Sequence, residues 1–398
     1  MTSSFATNEN KNEAAQARIV VAMSGGVDST AAALLLAEQG YPIVGIAMQV
    51  WDYRQNDGNA SRATCCAPAD FADAREVADE LGFPFYVFDF EGSFREEVIN
   101  PFIKSYLNGF TPNPCLDCNR KVKFRELRER ARQLGCQQVA TGHYAQIRAL
   151  ADGTHALLTA VDKSKDQSYF LYALTQSDLQ STLFPVGGME KKDVRALLAA
   201  RGLEIASKGE SQDICFVSGT VGEFIEKHAA LSTSSSGEIV DQAGKQLGTH
   251  EGIHNFTVGQ RRGLRVSASD KLYVLNIDAD SNQVTVGARD ALARESFTIG
   301  DVNWIRGLPE NGEHEALVKL RYRHHGVRCR LLVEPDATGE LTRVRAEFLE
   351  EWSAVSPGQA AVFYSSKEYE PGVRECLGGG IIEKQAAQRA KATLKSLG

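Results

Sequence analysis

One nonapeptide constrains this chain more than any other stretch: Ala22-Met-Ser-Gly-Gly-Val-Asp-Ser-Thr30. It directly follows the apolar, strand-like run Arg18–Met23 and opens a helical pattern, Ser29–Gln39, that Gly40 closes. Between strand and helix, Gly25 and Gly26 let the backbone approach an anion, and the helix N-terminus offers unpaired N–H groups and a partial positive charge. Ser24, Ser29 and Thr30 add hydroxyls, and Asp28 can hold a magnesium ion beside bound phosphates. An ordinary strand–turn–helix with a capping Asp or Ser uses the same residue types. The full S-G-G-x-D-S pattern in this setting favours phosphate binding. No Lys precedes the Ser-Thr pair, so this is not a Walker A loop.

The surroundings suit such a loop. Tyr41–Val50 and Pro84–Phe90 read as strands, Asp70–Leu81 as a helix, Asn119–Leu134 as a long charged helix stopped by Gly135, and Gln138–Thr141 as a short strand. Regular alternation implies βαβ units and a parallel sheet covered on both faces. Beyond Val217 the pattern changes to short strands with hairpin punctuation: Glu238–Val240, Leu272–Ile277 and Gln283–Val286. After Ser296 the chain reads all-β, with Ala316–Arg323, Val327–Val333, Leu341–Phe348 and Gln359–Tyr364 as alternating segments of a small barrel. The predicted organisation is a polar, disordered tail at 1–17, an α/β domain at 18–218, a small central mainly-β or mixed domain at 219–297, and a β-barrel at 298–398. Ser232–Ser236 reads as a loose linker and Lys384–Leu397 as a terminal helix.

Composition narrows the function. The longest apolar runs are far short of the roughly 20 residues that span a bilayer, and Met1–Ala17 has no apolar core of a secretory signal. A soluble, cytoplasmic protein with no membrane partner is expected. A net charge of -7 gives no sign of a global nucleic-acid binder, so any such role needs local patches. Two exist: Lys319–Arg330, with five Lys/Arg, two His and no acid, and Gln260–Arg265. Each alone could be a solvated strand face. Eight Cys without a secretory signal point to a reducing compartment and to thiol or metal chemistry.

Their spacing carries more. Thr111-Pro-Asn-Pro-Cys-Leu-Asp-Cys-Asn119 precedes a cationic stretch, Arg120–Arg125. Two prolines stiffen the segment and Asn119 can cap the following helix, which places Cys118 beside a helix N-terminus and cations that favour its thiolate. Half of a zinc site is the structural alternative, but no second C-x-x-C stands elsewhere. Cys215, between Ile214 and Phe216, reads on its own as a core residue, as do Cys65, Cys66, Cys136, Cys329 and Cys376.

The loop resembles that of the PP-loop pyrophosphatases, adenine nucleotide α-hydrolase-like enzymes that cleave ATP between its α and β phosphates. Thr111–Pro114 with Cys118-Asn119, Gly142-His-Tyr-Ala145, Lys165-Asp-Gln-Ser-Tyr-Phe-Leu171 and Ser211-Gln-Asp-Ile-Cys-Phe216 together resemble the tRNA-specific 2-thiouridylases (MnmA family), in order and in spacing. That resemblance runs from about Arg18 to about Glu383. It implies ATP-dependent formation of 2-thiouridine at the tRNA wobble position, with Mg2+ and a protein-borne sulfur or sulfide source. It implies that Ala22, Met23, Ser24, Gly25, Gly26, Val27, Asp28, Ser29, Met48 and Gly142 bind ATP. Asn113, Pro114 and Cys115 would surround the target base. His143, Lys165, Asp166, Gln167, Arg321, Tyr322 and Gln359 would contact tRNA. Cys118 would be the nucleophile and Cys215 the persulfide carrier. The best-known members have an aspartate at the position of Cys115. With Cys there, Cys115, Cys118 and Cys215 could hold a [4Fe–4S] cluster. A small-molecule PP-loop ligase would leave the basic barrel unexplained, and a non-catalytic iron–sulfur RNA binder would leave Ser24–Ser29 unexplained.

Overall fold

The computed structural model describes residues 18–51, 68–209, 214–229, 236–267, 270–335, 338–340 and 342–385. The expected tail, Cys65, Cys66, Ser211–Asp213, nearly all of the Ser232–Ser236 linker and the terminal helix beyond residue 385 lie outside them.

Strand β1 (Ile19–Ala22) lies at the centre of a five-stranded parallel sheet with β2 (Ile43–Gln49), β3 (Phe85–Asp89), β4 (Gln138–Ala140) and β7 (Thr182–Leu183), in the order β3-β2-β1-β4-β7. A strand buried on both faces needs an unbroken apolar run, which Ile19-Val-Val-Ala22 supplies. Val20, Val44 and Ile46 feed the core on one face; Ile19, Val21 and Ile43 feed the other. Helix α1 (Val27–Glu38) begins directly after the glycine turn, and α2 (Pro68–Leu81) packs beside it.

The helix expected from Asn119 starts earlier. It runs as Pro114–Asp117, a π-wound Cys118–Lys123, and Phe124–Gln133. Proline at the first helical position needs no N–H partner and has its φ preset, so Pro114 starts the helix instead of extending the loop. Asn113 is the cap, its side chain accepting from the Cys115 N–H at 3.1 Å. Asn119 is an interior, buried residue whose amide donates to the Phe170 carbonyl at 3.3 Å. Cys118 therefore sits one turn inside the helix, beyond the first turn where end effects are strongest.

The central sheet comprises β8 (Gly237–Val240), β9 (Gln246–His250), β10 (Tyr273–Asp278) and β11 (Gln283–Gly287). The C-terminal strands β12 (Ala293–Trp304), β13 (Glu313–Lys319), β14 (Val327–Glu334), β15 (Arg343–Ser353), β16 (Ala360–Ser365) and β17 (Glu375–Ile382) close through β12–β17 pairing into a six-stranded barrel. Strand β12 runs across the expected 297/298 boundary, and β13 stops at Lys319, leaving 320–323 in a turn. A hairpin from the first domain, β5 (Ala145–Ala149) and β6 (His155–Thr159), joins this sheet through Cys376↔Leu157. Helix α3 (Lys191–Ala200) packs on α1.

Candidate active site

The turn after β1 is shaped by contacts from three directions. Gly25 has φ +64, and a Cβ there would lie 2.0 Å from the Asp70 carbonyl oxygen of α2, so only glycine fits. Ser29 Oγ accepts from the Ser24 N–H at 3.2 Å and donates to the Gly26 carbonyl at 3.1 Å, folding the loop around the start of α1. From the other side Gly142 presses on α1, where a Cβ would lie 2.5 Å from the Asp28 carbonyl carbon. The Asp28 carboxylate accepts from the Tyr144 hydroxyl at 2.9 Å and from Lys191 Nζ at 2.7 Å. Lys208 Nζ donates to the Gly25 carbonyl at 2.7 Å and to Asp70 and Asp73.

Beneath the loop opens a cleft of about 1280 Å³. Ser24, Gly25, Gly26, Val27 and Asp28 line it together with Asn113 and Cys115, with Lys165 and Gln167, and with Arg321, Tyr322 and Gln359 of the C-terminal domain. Eight Lys/Arg side chains against four carboxylates make it cationic within an acidic protein. That balance suits a polyanion. Aromatic walls come from Phe170 and Tyr322, whose ring centroids are 4.5 Å apart.

Of the other predicted residues, Ala22, Met23, Met48, Pro114 and His143 stand behind the cleft wall, while Asp166 and Gln359 both line it and brace it. Met23 and Met48 are buried in the sheet's two cores, Ala22 is half-buried beside them, and Pro114 is buried at the helix start. His143 packs between Phe124 and Phe184 and shares a 2.8 Å hydrogen bond with Thr141 Oγ1. Burial, helped by nearby Lys123, pushes its pKa down to about 3, so it is a neutral ring at physiological pH. Asp166 reaches the cleft wall but is only 7% exposed. Its carboxylate accepts from the Ala160 and Ser168 N–H groups, the Ser168 hydroxyl and Lys319 Nζ. Those bonds hold a turn of the first domain to the barrel. Gln359 likewise donates its amide to the Thr111 carbonyl at 2.8 Å, steadying the segment ahead of Asn113.

The cysteines divide. Cys115 is exposed and faces the cleft. Cys118, 8% exposed, belongs to a core that also holds Phe102 and Phe216, and half-buried Cys215 packs against the same core. Among the described residues no group of three or more His, Cys, Asp or Glu is placed to hold a metal ion. The three-cysteine set expected for a [4Fe–4S] cluster is thus not assembled. One thiol faces the cleft and two share a core.

Sequence reading missed Tyr144, Lys163, Lys191, Lys208 and Arg374, all of which line the cleft. Tyr144 lies inside the Gly142–Ala145 motif; for the lysines the absence of a Walker-type Lys from the loop was the only hint, since no local motif marks a lysine delivered from another element.

The parallel sheet, its glycine turn and the cationic cleft define a PP-loop-type α/β enzyme with two appended β domains. Protein-family models agree in three consecutive pieces: a tRNA methyl transferase HUP domain at residues 17–219, a tRNA methyl transferase PRC-barrel domain at 222–288, and an aminomethyltransferase beta-barrel domain at 294–382. The chain is 48% identical over 369 residues to the tRNA-specific 2-thiouridylase MnmA of Geotalea uraniireducens, covering 92% of this chain and 95% of that one. It is 46% identical to the MnmA of Geobacter metallireducens, over 93% of this chain and 98% of that one. This chain belongs to the tRNA-specific 2-thiouridylase (MnmA) family. Among solved structures, a 4-thiouridine synthetase–RNA complex with bound ATP aligns at TM-score 0.32 and 16% identity, covering 53% of this chain and 50% of that one.

Proposed function

We propose that this chain carries out ATP-dependent 2-thiolation of the wobble uridine of tRNA. The observation that carries the reading is that one cleft joins the glycine turn, Asn113 and Cys115, and the basic turn at Arg321–His325. A nucleotide, a flipped base and an RNA backbone then share one chamber.

Uracil C2 is a urea-like carbonyl and a poor electrophile, so activation comes first. Uracil O2 attacks the α-phosphorus of ATP and pyrophosphate leaves, the loop N–H groups and the cleft cations stabilising its charge. The terminal sulfur of a Cys215 persulfide then attacks C2, and AMP departs carrying the former O2. The Cys118 thiolate attacks the inner persulfide sulfur, which leaves the thiocarbonyl on the base and a Cys118–Cys215 disulfide for a thiol reductant to reopen. The sulfur source is a persulfide-bearing protein, whose outer sulfur passes to the Cys215 thiolate as the donor's own thiolate leaves. Sulfide restores the Cys215 persulfide only by opening the Cys118–Cys215 disulfide, which releases Cys118 as the thiolate. Such thiol chemistry and a tRNA substrate suit the reducing cytoplasm.

Mg2+ needs only one or two carboxylates besides phosphate oxygens, so Asp28 fits it, and the ion would neutralise charge on the leaving pyrophosphate. Thiolate donors suit a [4Fe–4S] cluster, but among the described residues Cys115, Cys118 and Cys215 form no group placed to hold a metal ion, and no step is routed through one.

The test incubates the protein with ATP, a persulfide donor and unmodified tRNA, then digests the RNA to nucleosides. The expected result is 2-thiouridine with matching AMP, abolished in Cys118→Ser and Cys215→Ser. AMP release without 2-thiouridine would overturn the reading. Iron counting after anaerobic purification runs alongside: iron bound by the wild type and absent from Cys115→Ser would move the sulfur step to a cluster.

A further inference from the structure

The loop lacks the lysine that a Walker A loop carries, yet two lysines reach it through space. Lys208, 183 positions from Gly25, places Nζ 2.7 Å from the Gly25 carbonyl oxygen at the apex of the turn. Lys191, 163 positions from Asp28, places Nζ 2.7 Å from the Asp28 carboxylate in the first turn of α1. Both line the cleft.

Neither position is what stability alone would select. Lys191 is 8% exposed and is the first residue of α3, where a cation opposes the helix dipole. A buried ammonium is costly without close anionic partners, and Asp28 is the partner at the mouth of the loop. Lys208 is anchored by Asp70 at 2.5 Å and Asp73 at 2.6 Å, two carboxylates one turn apart on α2. Burial works to lower its pKa, but those two carboxylates outweigh it and the pKa ends raised, so Lys208 stays charged. The arrangement holds a pre-oriented ammonium at each side of the glycine turn.

We propose that Lys191 and Lys208 supply, from outside the loop, the cationic contacts to the ATP phosphates that the loop sequence itself does not contain. The inference rests on the ATP reading above and adds which side chains meet the polyphosphate. Before nucleotide binds, Asp28 and the Asp70–Asp73 pair hold the ammonium groups where the phosphates arrive. With nucleotide bound, phosphate oxygens share or replace those carboxylates as acceptors.

Calorimetric titration of the full chain with ATP and, separately, with adenosine tests this. Adenosine lacks phosphates, so it reports on the shape of the nucleoside pocket alone. In Lys191→Met and Lys208→Met, ATP affinity is expected to fall about 10- to 100-fold, the range for removing a charge-assisted hydrogen bond, with adenosine affinity unchanged. Lys208→Arg, which keeps charge and both Asp partners, should retain most ATP affinity and also covers the case of a Lys208→Met protein that does not fold. Equal weakening of ATP and adenosine would assign the lysines to scaffolding and overturn the proposal, as would unchanged ATP affinity. A wild-type protein that binds adenosine but gains nothing from the phosphates would instead defeat the ATP reading and this inference with it.

Discussion

At the scale of single residues, the site depends on where a Cβ has no room and where a charge has been given a fixed partner. Gly142 illustrates the first. A methyl group there would meet the Asp28 and Ser29 backbone at 2.5 and 2.6 Å, and backbone cannot rotate away as a side chain can. Gly142→Ala is expected to cost about 1–3 kcal/mol, the usual range for overpacking, and to weaken ATP binding more than stability. Urea unfolding together with ATP titration checks it; native ATP affinity would show that α1 tolerates the shift. Asp166 illustrates the second. Its carboxylate lines the cleft wall and accepts from four donor groups, which tie Lys319 and the 160–168 turn together.

The helix carrying Cys115 and Cys118 decides the geometry at the scale of elements. Its start at Pro114 puts Cys115 on the first turn facing the cleft and Cys118 one turn deeper in the core. The π-wound stretch Cys118–Lys123 follows at once, and such wide turns recur at functional sites. Asn113 secures the start by capping the Cys115 N–H. Asn113→Ala should therefore lower stability by about 1 kcal/mol by removing the cap, measurable by chemical denaturation, and should lower thiolation further by loosening Cys115. Unchanged stability would mean that Pro114 alone sets the helix start. The two prolines were legible in the sequence. Which of them begins the helix was not, because extended and helical backbones both accept the proline φ.

Across the whole molecule, three parts of the chain meet at Thr111. Its N–H donates to the Pro357 carbonyl at 2.9 Å, its carbonyl accepts from Gln359 at 2.8 Å, and its hydroxyl donates to Thr257 at 3.2 Å. The barrel and the central domain thus hold the segment that leads into Asn113 and Cys115. Arg120 adds a 2.6 Å ion pair to Asp301, though an exposed pair of this kind contributes little by itself. On the proposed function, RNA bound at the barrel's basic turn is held in register with the loop. Arg321→Ala is expected to weaken tRNA binding and to reduce the slope of log affinity against log salt by roughly one for each phosphate the variant no longer neutralises. Filter binding over a salt series reads this directly; an unchanged slope would make Arg321 a solvated side chain.

Local order alone determined much of this protein. The glycine turn, the parallel sheet around it, the all-β character of the described chain after Ser296 and the cysteine-bearing segments follow from short-range pattern, because apolar periodicity and glycine or proline constraints act within a few residues. The expected change to strands after Val217 is delayed by a helix, Val221–His228, and begins at Gly237. Tertiary structure decided which distant groups share the cleft. The hairpin Ala145–Thr159 joins a barrel sheet more than 200 residues away through Cys376↔Leu157, which no local signal encodes. Lys191 and Lys208 reach the loop only because α3 packs on α1 and residue 208 comes to lie against α2. Cys118 and Cys215 share a core while Cys115 faces the cleft because helix phase and long-range packing, not spacing, set where a thiol points.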